Sequence, residues 1–138
     1  MAPFVHRLRV RYNECDAQGI VFNGNWLTYF DVTLTEWWRA AFGSYQAMVD
    51  GGADLVVAEA NIRYRAPARF DDELDIAVSI AELGTTSMTT RFDVTRASDH
   101  LVEGRMRHVF IDPATLGKQP IPDAMRERLG RYLAPAGA

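Results

Sequence analysis

The stretch Asn25-Trp26-Leu27-Thr28-Tyr29-Phe30-Asp31-Val32-Thr33-Leu34-Thr35-Glu36-Trp37-Trp38-Arg39-Ala40-Ala41-Phe42 decides the fold. Its apolar residues Trp26, Leu27, Phe30, Leu34, Trp37, Trp38 and Ala41 recur at helical spacing, while Thr28, Asp31, Thr35 and Arg39 fall on the other side. This predicts one long helix with a broad apolar face, closed by Gly43. A face that wide must be covered by something equally large.

The flanking segments supply the cover. Upstream, Leu8, Val10 and Tyr12 alternate with Arg7, Arg9 and Arg11, the period of a half-buried strand over Val5 to Tyr12. Downstream, Ser44 to Gly52 reads as a short helical or irregular connector, and every later pattern up to Asp112 has period two. Strands are expected over Ala53 to Arg65, Glu73 to Ala81, Thr85 to Arg96 and Leu101 to Asp112, separated by Pro67, Gly84 and Ser98-Asp99-His100. Asp123 to Leu133 reads as a short amphipathic helix behind Pro120 and Pro122. A strand, a long helix and four consecutive strands with short turns predict an α+β fold, an antiparallel sheet curled around one long central helix. An open sheet leaves edges, and pairing two copies edge to edge removes one from each, so a homodimer is expected.

Composition narrows the function classes. The chain has 138 residues, 48% of them hydrophobic, enough for one domain over 1–138 with one core. A net charge of −3 with no Lys/Arg run argues against a nucleic-acid partner. No apolar run approaches the roughly 18 residues a membrane helix needs. Met1-Ala2-Pro3-Phe4 leads straight into a polar strand pattern without signal-peptide features, and the single Cys15 has no partner for an internal disulfide. A cytoplasmic protein is expected.

Chemistry concentrates in the loop before the helix, Cys15-Asp16-Ala17-Gln18-Gly19-Ile20-Val21-Phe22-Asn23-Gly24-Asn25-Trp26. Helix N-terminal N–H groups are unpaired and carry the positive end of the dipole, so they can bind a carbonyl oxygen as it becomes negative. A carboxylate opposite them, Asp16, can attack that carbonyl or deprotonate a water. Gly19 permits a tight turn and Gly24 a close approach to the amides. The other reading is structural: Asp16 satisfies loop amides, as Asp commonly does. Spacing alone leaves both open.

Other candidates are weaker. Cys15 lacks a nearby His and alternates away from Asp16. His6, His100 and His108 are scattered without metal-ligand spacing and read as core or edge histidines. No Ser has a nucleophile-elbow context. Asn23 and Asn25 read as helix caps, and the tryptophans as core or interface.

The run Asp16 to Trp26, with Tyr29-Phe30-Asp31 and Thr35-Glu36 behind it and Ala66-Pro67-Ala68-Arg69-Phe70-Asp71-Asp72-Glu73-Leu74 further on, resembles the signature of hotdog-fold acyl-CoA thioesterases of the 4-hydroxybenzoyl-CoA thioesterase type. The likeness covers roughly residues 5 to 112. It implies Asp16 as the catalytic carboxylate, nucleophile or general base, and the Asn23 backbone N–H as the group polarising the thioester carbonyl, with Gly24 beside it. It further implies Gln18 as positioning the attacking water and Asp31 as contacting the acyl end or supporting the helix. A dimer-interface pocket in which Ile62, Arg63 and Tyr64 of one subunit line a site served by Asp16 of the other also follows, as does a homodimer or dimer of dimers. The substrate implied is an acyl-CoA or the same thioester on an acyl carrier protein, with no cofactor and no metal. The turn Leu83-Gly84-Thr85-Thr86-Ser87 lacks the basic pair that aromatic-specific relatives use near the nucleotide, which leaves Arg63, Arg65, Arg91 and Arg105 as alternatives. The competing functions are a hotdog hydratase or dehydratase, which wants a His in the loop, and a non-catalytic acyl-CoA-binding module.

Overall fold

The computed structural model describes residues 3–135. In chain order it contains β1 (Phe4–Arg9), a 3-10 turn (Tyr12–Glu14), α1 (Asn25–Phe42), α2 (Tyr45–Asp50), β2 (Asp54–Tyr64), β3 (Glu73–Leu83), β4 (Ser87–Arg96), β5 (Asp99–Ile111) and α3 (Asp123–Gly130). The five strands form one sheet in the order β1-β3-β4-β5-β2, every pair antiparallel. Period-two patterning puts Leu74, Ile76, Val78 and Ile80 of β3 and Met88, Thr90, Phe92 and Val94 of β4 on one buried face.

That face receives α1. Phe30 stacks on Phe92 with ring centroids 4.4 Å apart. It can do so because β5 carries Gly104 there: a Cβ on Gly104 would lie 2.5 Å from Phe30 Cε2. A residue without a side chain is thus required for the helix to sit this close to the sheet.

α1 has the boundaries expected, but its face is rotated. Leu27 is 44% exposed, whereas Tyr29 and Thr33 are buried. Thr33 tolerates burial because its hydroxyl donates to the Tyr29 carbonyl at 2.8 Å. β1 stops at Arg9, three residues short of expectation, because Arg11 and Glu14 close a 3-10 turn in which the Arg11 N–H donates to Glu14 Oε1 at 2.7 Å. Tyr12 is exposed as a result. Neither Asn caps α1: the N-cap is Gly24, without a side-chain bond, and the Asn25 amide instead reaches back to the Glu14 carbonyl at 2.8 Å.

The two ends of the sheet differ. Beyond β1, the tail covers β3: the Ile80 N–H donates to the Tyr132 carbonyl, and the Ala134 N–H to the Ile80 carbonyl, each at 2.8 Å. β2, by contrast, pairs only with β5 and leaves Val56, Val57 and Tyr64 45–53% exposed. Among the described residues no helix is long and apolar enough to cross a membrane.

Candidate active site

The loop between β1 and α1 is a small hairpin pinned at both ends. The Asp16 N–H donates to the Ile20 carbonyl and the Gly19 N–H to the Asp16 carbonyl, each at 2.9 Å, and Gly19 takes φ +76°. The Phe22 N–H closes the hairpin on the Glu14 carbonyl at 3.0 Å, while the Val21 N–H docks it on the Ala68 carbonyl at 2.8 Å. The wall it docks on is itself held, since Asp72 accepts from the Arg69 N–H and from Arg96, both at 2.8 Å. Burial pushes the Asp72 carboxyl upward, but those hydrogen bonds and the Arg96 charge outweigh it and hold it below the usual carboxylate range.

Glu14 organises the other side. Its carboxylate accepts from Arg11 and, at 2.8 Å, from the Tyr29 hydroxyl on the first turns of α1. Burial would raise its pKa, yet the Arg11 and Tyr29 hydrogen bonds win and the group is held low. Tyr29 is pushed up, by burial first and then by the Glu14 hydrogen bond and charge. The hairpin and the helix start are therefore one rigid unit.

A cleft of about 540 Å³ opens beside this unit, lined among others by Asp16, Gln18, Asn23, Trp26, Tyr64 and Arg65. Asp16 uses Oδ1 to accept the Gln18 N–H at 2.8 Å, the closed turn that the structural reading anticipated. Its Oδ2 receives no hydrogen bond among the described residues. The Asn23 carbonyl accepts from the Tyr64 hydroxyl at 3.0 Å, which fixes that peptide from the β2 side. The backbone N–H groups of Asn23 and Gly24 donate to no protein atom among the described residues.

Of the expected site residues, the structure brings Asp16, Gln18, Asn23 and Tyr64 to one cleft. It does not bring the rest there. Gly24 is backed by the Phe22 ring, which a Cβ would meet at 3.0 Å. Asp31 lines a second cavity further along α1. Ile62 is half-buried against the core opposite Gly104, and Arg63 stands exposed opposite Glu103. Glu14 and Arg11 were not singled out from sequence, and Tyr29 only within the run that carries the family resemblance, although the Arg11/Glu14 spacing of three residues was a usable signal.

The family model of the thioesterase superfamily matches residues 18–103, which run from the loop before α1 into the first half of β5. The chain belongs to the thioesterase superfamily. It is a thioester hydrolase by that membership. Similar proteins include the acyl-CoA thioester hydrolase YbgC of Escherichia coli O6:H1, 29% identical over 119 residues, covering 86% of this thioesterase and 89% of YbgC. A structure of protein AQ1494 from Aquifex aeolicus has a TM-score of 0.86 at 28% identity, covering 92% of this chain and 99% of that one. The 1,4-dihydroxy-2-naphthoyl-CoA thioesterase Slr0204 from Synechocystis shares the fold, with a TM-score of 0.82 at 21% identity and coverage of 96% and 98%.

Proposed function

We propose that this thioesterase hydrolyses an acyl-CoA, or the same thioester on an acyl carrier protein, with Asp16 as the catalytic carboxylate. The observation that carries this is the shared cleft: Asp16, whose Oδ2 is unpaired, and Asn23, whose N–H is unpaired among the described residues, both line one space. The Asn23 N–H takes the negative charge that develops on the carbonyl oxygen. Asp16 Oδ2 then either attacks the carbonyl carbon, expelling the thiolate and leaving an anhydride that water opens, or takes a proton from the water that attacks. The products are a free acid and a thiol. The Gln18 side chain positions that water, and no histidine of the described residues lines the cleft to support hydration chemistry instead.

In the same reading the sheet wraps α1 and two copies pair through β2 to form a cytoplasmic homodimer, alone or as half of a tetramer. The exposed residues of β2 support the pairing. Ile62, Arg63 and Tyr64 would then flank the seam, and Asp31 would reach the acyl end.

The Gln18 N–H bond gives the structural role of Asp16 its own support. Asp16→Asn separates the two, because an amide oxygen still accepts that bond while the carboxylate is lost. Thiol release from aromatic, short-chain and long-chain acyl-CoAs is expected to fall at least about a hundredfold in the variant with unchanged unfolding midpoint. Equal rates for variant and wild type would remove Asp16 from the chemistry.

A further inference from the structure

β2 ends on Tyr64, and that end is tied down. In the register Tyr64 stands opposite Val102 of β5, and the next two N–H groups, of Arg65 and Ala66, both donate to the Leu101 carbonyl, at 2.8 and 3.0 Å. The ring is nevertheless 52% exposed, at a sheet edge and beside the cleft it lines. An aromatic side chain left half in water gains little from burial. What it makes instead is one long-range polar contact: its hydroxyl donates to the Asn23 carbonyl, 41 residues upstream, at 3.0 Å.

Asn23 needs that contact because its two flanking peptides are held unequally. On the N-terminal side Phe22 is fixed twice, its N–H donating to the Glu14 carbonyl at 3.0 Å and its carbonyl accepting the Asn25 N–H at 2.9 Å. On the C-terminal side the Asn23 carbonyl accepts the Trp26 N–H only at 3.5 Å, a long and weak bond. The residue that follows is Gly24, and without a Cβ it restrains the Asn23–Gly24 peptide less than any other residue does. The Gly24 N–H, on the same peptide, has no partner among the described residues. The Tyr64 hydroxyl is therefore the short bond that fixes this peptide, and it comes from the sheet rather than from the helix that Asn23 precedes. Tyrosine does this at low entropic cost, since only two side-chain torsions position its ring.

We propose that Tyr64 is a positioning residue for the hydrolysis: through the Asn23 carbonyl its hydroxyl holds the Asn23 backbone, and with it the N–H offered to the thioester, in one orientation. The use of that N–H in catalysis rests on the reading given above; the restraint itself rests on the hydrogen bond. The two parts of the side chain then have separable effects. The hydroxyl acts on the transition state, where the carbonyl oxygen gains charge, whereas the ring, as cleft wall, acts equally on bound substrate and transition state.

The test compares Tyr64→Phe, which deletes the hydroxyl and keeps the ring, with Tyr64→Ala, which deletes both. On an acyl-CoA that wild type cleaves, Tyr64→Phe is expected to lower kcat about tenfold and to leave KM within about twofold, and Tyr64→Ala to lower kcat equally and raise KM as well. A wild-type kcat in Tyr64→Phe, with or without a raised KM, overturns the proposal. A second readout needs no substrate. The Gly24 nitrogen shares its peptide with the Asn23 carbonyl, so its NMR shift is expected to move in Tyr64→Phe, and the order parameter of the Asn23 N–H to fall from about 0.85 toward about 0.6. An unmoved Gly24 resonance with an unchanged Asn23 order parameter overturns the restraint whatever the rates. If Tyr64→Phe lowers kcat while Asp16→Asn turns over normally, the Asp16 assignment falls and the positioning role stands. If wild type cleaves no thioester, the catalytic reading falls, and a lowered order parameter in Tyr64→Phe still supports the restraint. Should Tyr64→Ala not fold, the Phe variant decides alone.

Discussion

Glu14 is a half-buried ionisable group and His108 a buried one, and they meet opposite fates. Glu14 is compensated by Arg11 and Tyr29, so its charge links the hairpin to α1. Glu14→Gln keeps a partner for Tyr29 but loses the Arg11 ion pair. It is expected to lower kcat by roughly tenfold with little change in KM, since the defect lies in positioning the helix amides. Amide exchange at Phe22, whose N–H bonds the Glu14 carbonyl, should rise in parallel; an unchanged kcat would reduce Glu14 to a packing role. His108 has no such compensation, and its pKa falls from the ordinary 6.5 to about 4 through burial. The sign of the effect follows from which state holds the proton. As pH drops from about 6.5 to about 4 the unfolded chain binds a proton that the native state refuses, so stability declines by about 3 kcal/mol across that window and levels off below it. His108→Val lacks this loss. The wild-type-minus-variant difference in urea unfolding free energy is expected to fall between pH 7 and pH 4, and a pH-independent difference would show that the imidazole charges freely in the fold.

α1 and β5 are coupled through one missing side chain. Because a Cβ at Gly104 would meet Phe30 Cε2 at 2.5 Å and Cζ at 2.8 Å, Gly104→Ala forces the helix or the stacked Phe30–Phe92 pair to move. A destabilisation of about 1–3 kcal/mol is expected from such overpacking. Phe30→Leu in the same chain should recover part of it, and purely additive losses in the double variant would place the strain elsewhere. The helix itself was legible in the sequence, since three Trp residues and Phe30 at helical spacing admit no other period. Its exact face was not: Leu27 and Tyr29 lie to either side of the stripe, and Tyr29 is drawn inward only because Glu14 waits for its hydroxyl, a tertiary fact. The caps misled for the same reason, as the Asn25 amide had a partner eleven residues upstream. At the site, Asp16, Gln18 and Asn23 were legible because they are local to one loop. The second cavity, lined by Asp31 and His108, was not, because α1, β2 and β5 meet there only through the sheet order.

The sheet leaves β2 as a long edge strand, and that edge predicts an assembly. The tail blocks the β3 edge beyond β1, while β2 presents an open ladder of unpaired groups and exposed valines, an arrangement that monomeric proteins avoid. Pairing of two β2 strands about a two-fold axis satisfies both copies at once and closes the assembly. The register between β2 and β5 shifts between Val57 and Glu59, so Ala58 is left without a partner on β5. Proline there costs the existing ladder little but blocks an incoming strand by removing a donor and adding a ring. Ala58→Pro is therefore expected to keep the fold and shift sedimentation from dimer to monomer at micromolar protein. If residues of different protomers serve one substrate, turnover falls with the dimer and recovers as protein concentration rises. A wild type that sediments as a monomer would refute pairing through β2, and a monomeric variant with full turnover would confine the whole reaction to one protomer.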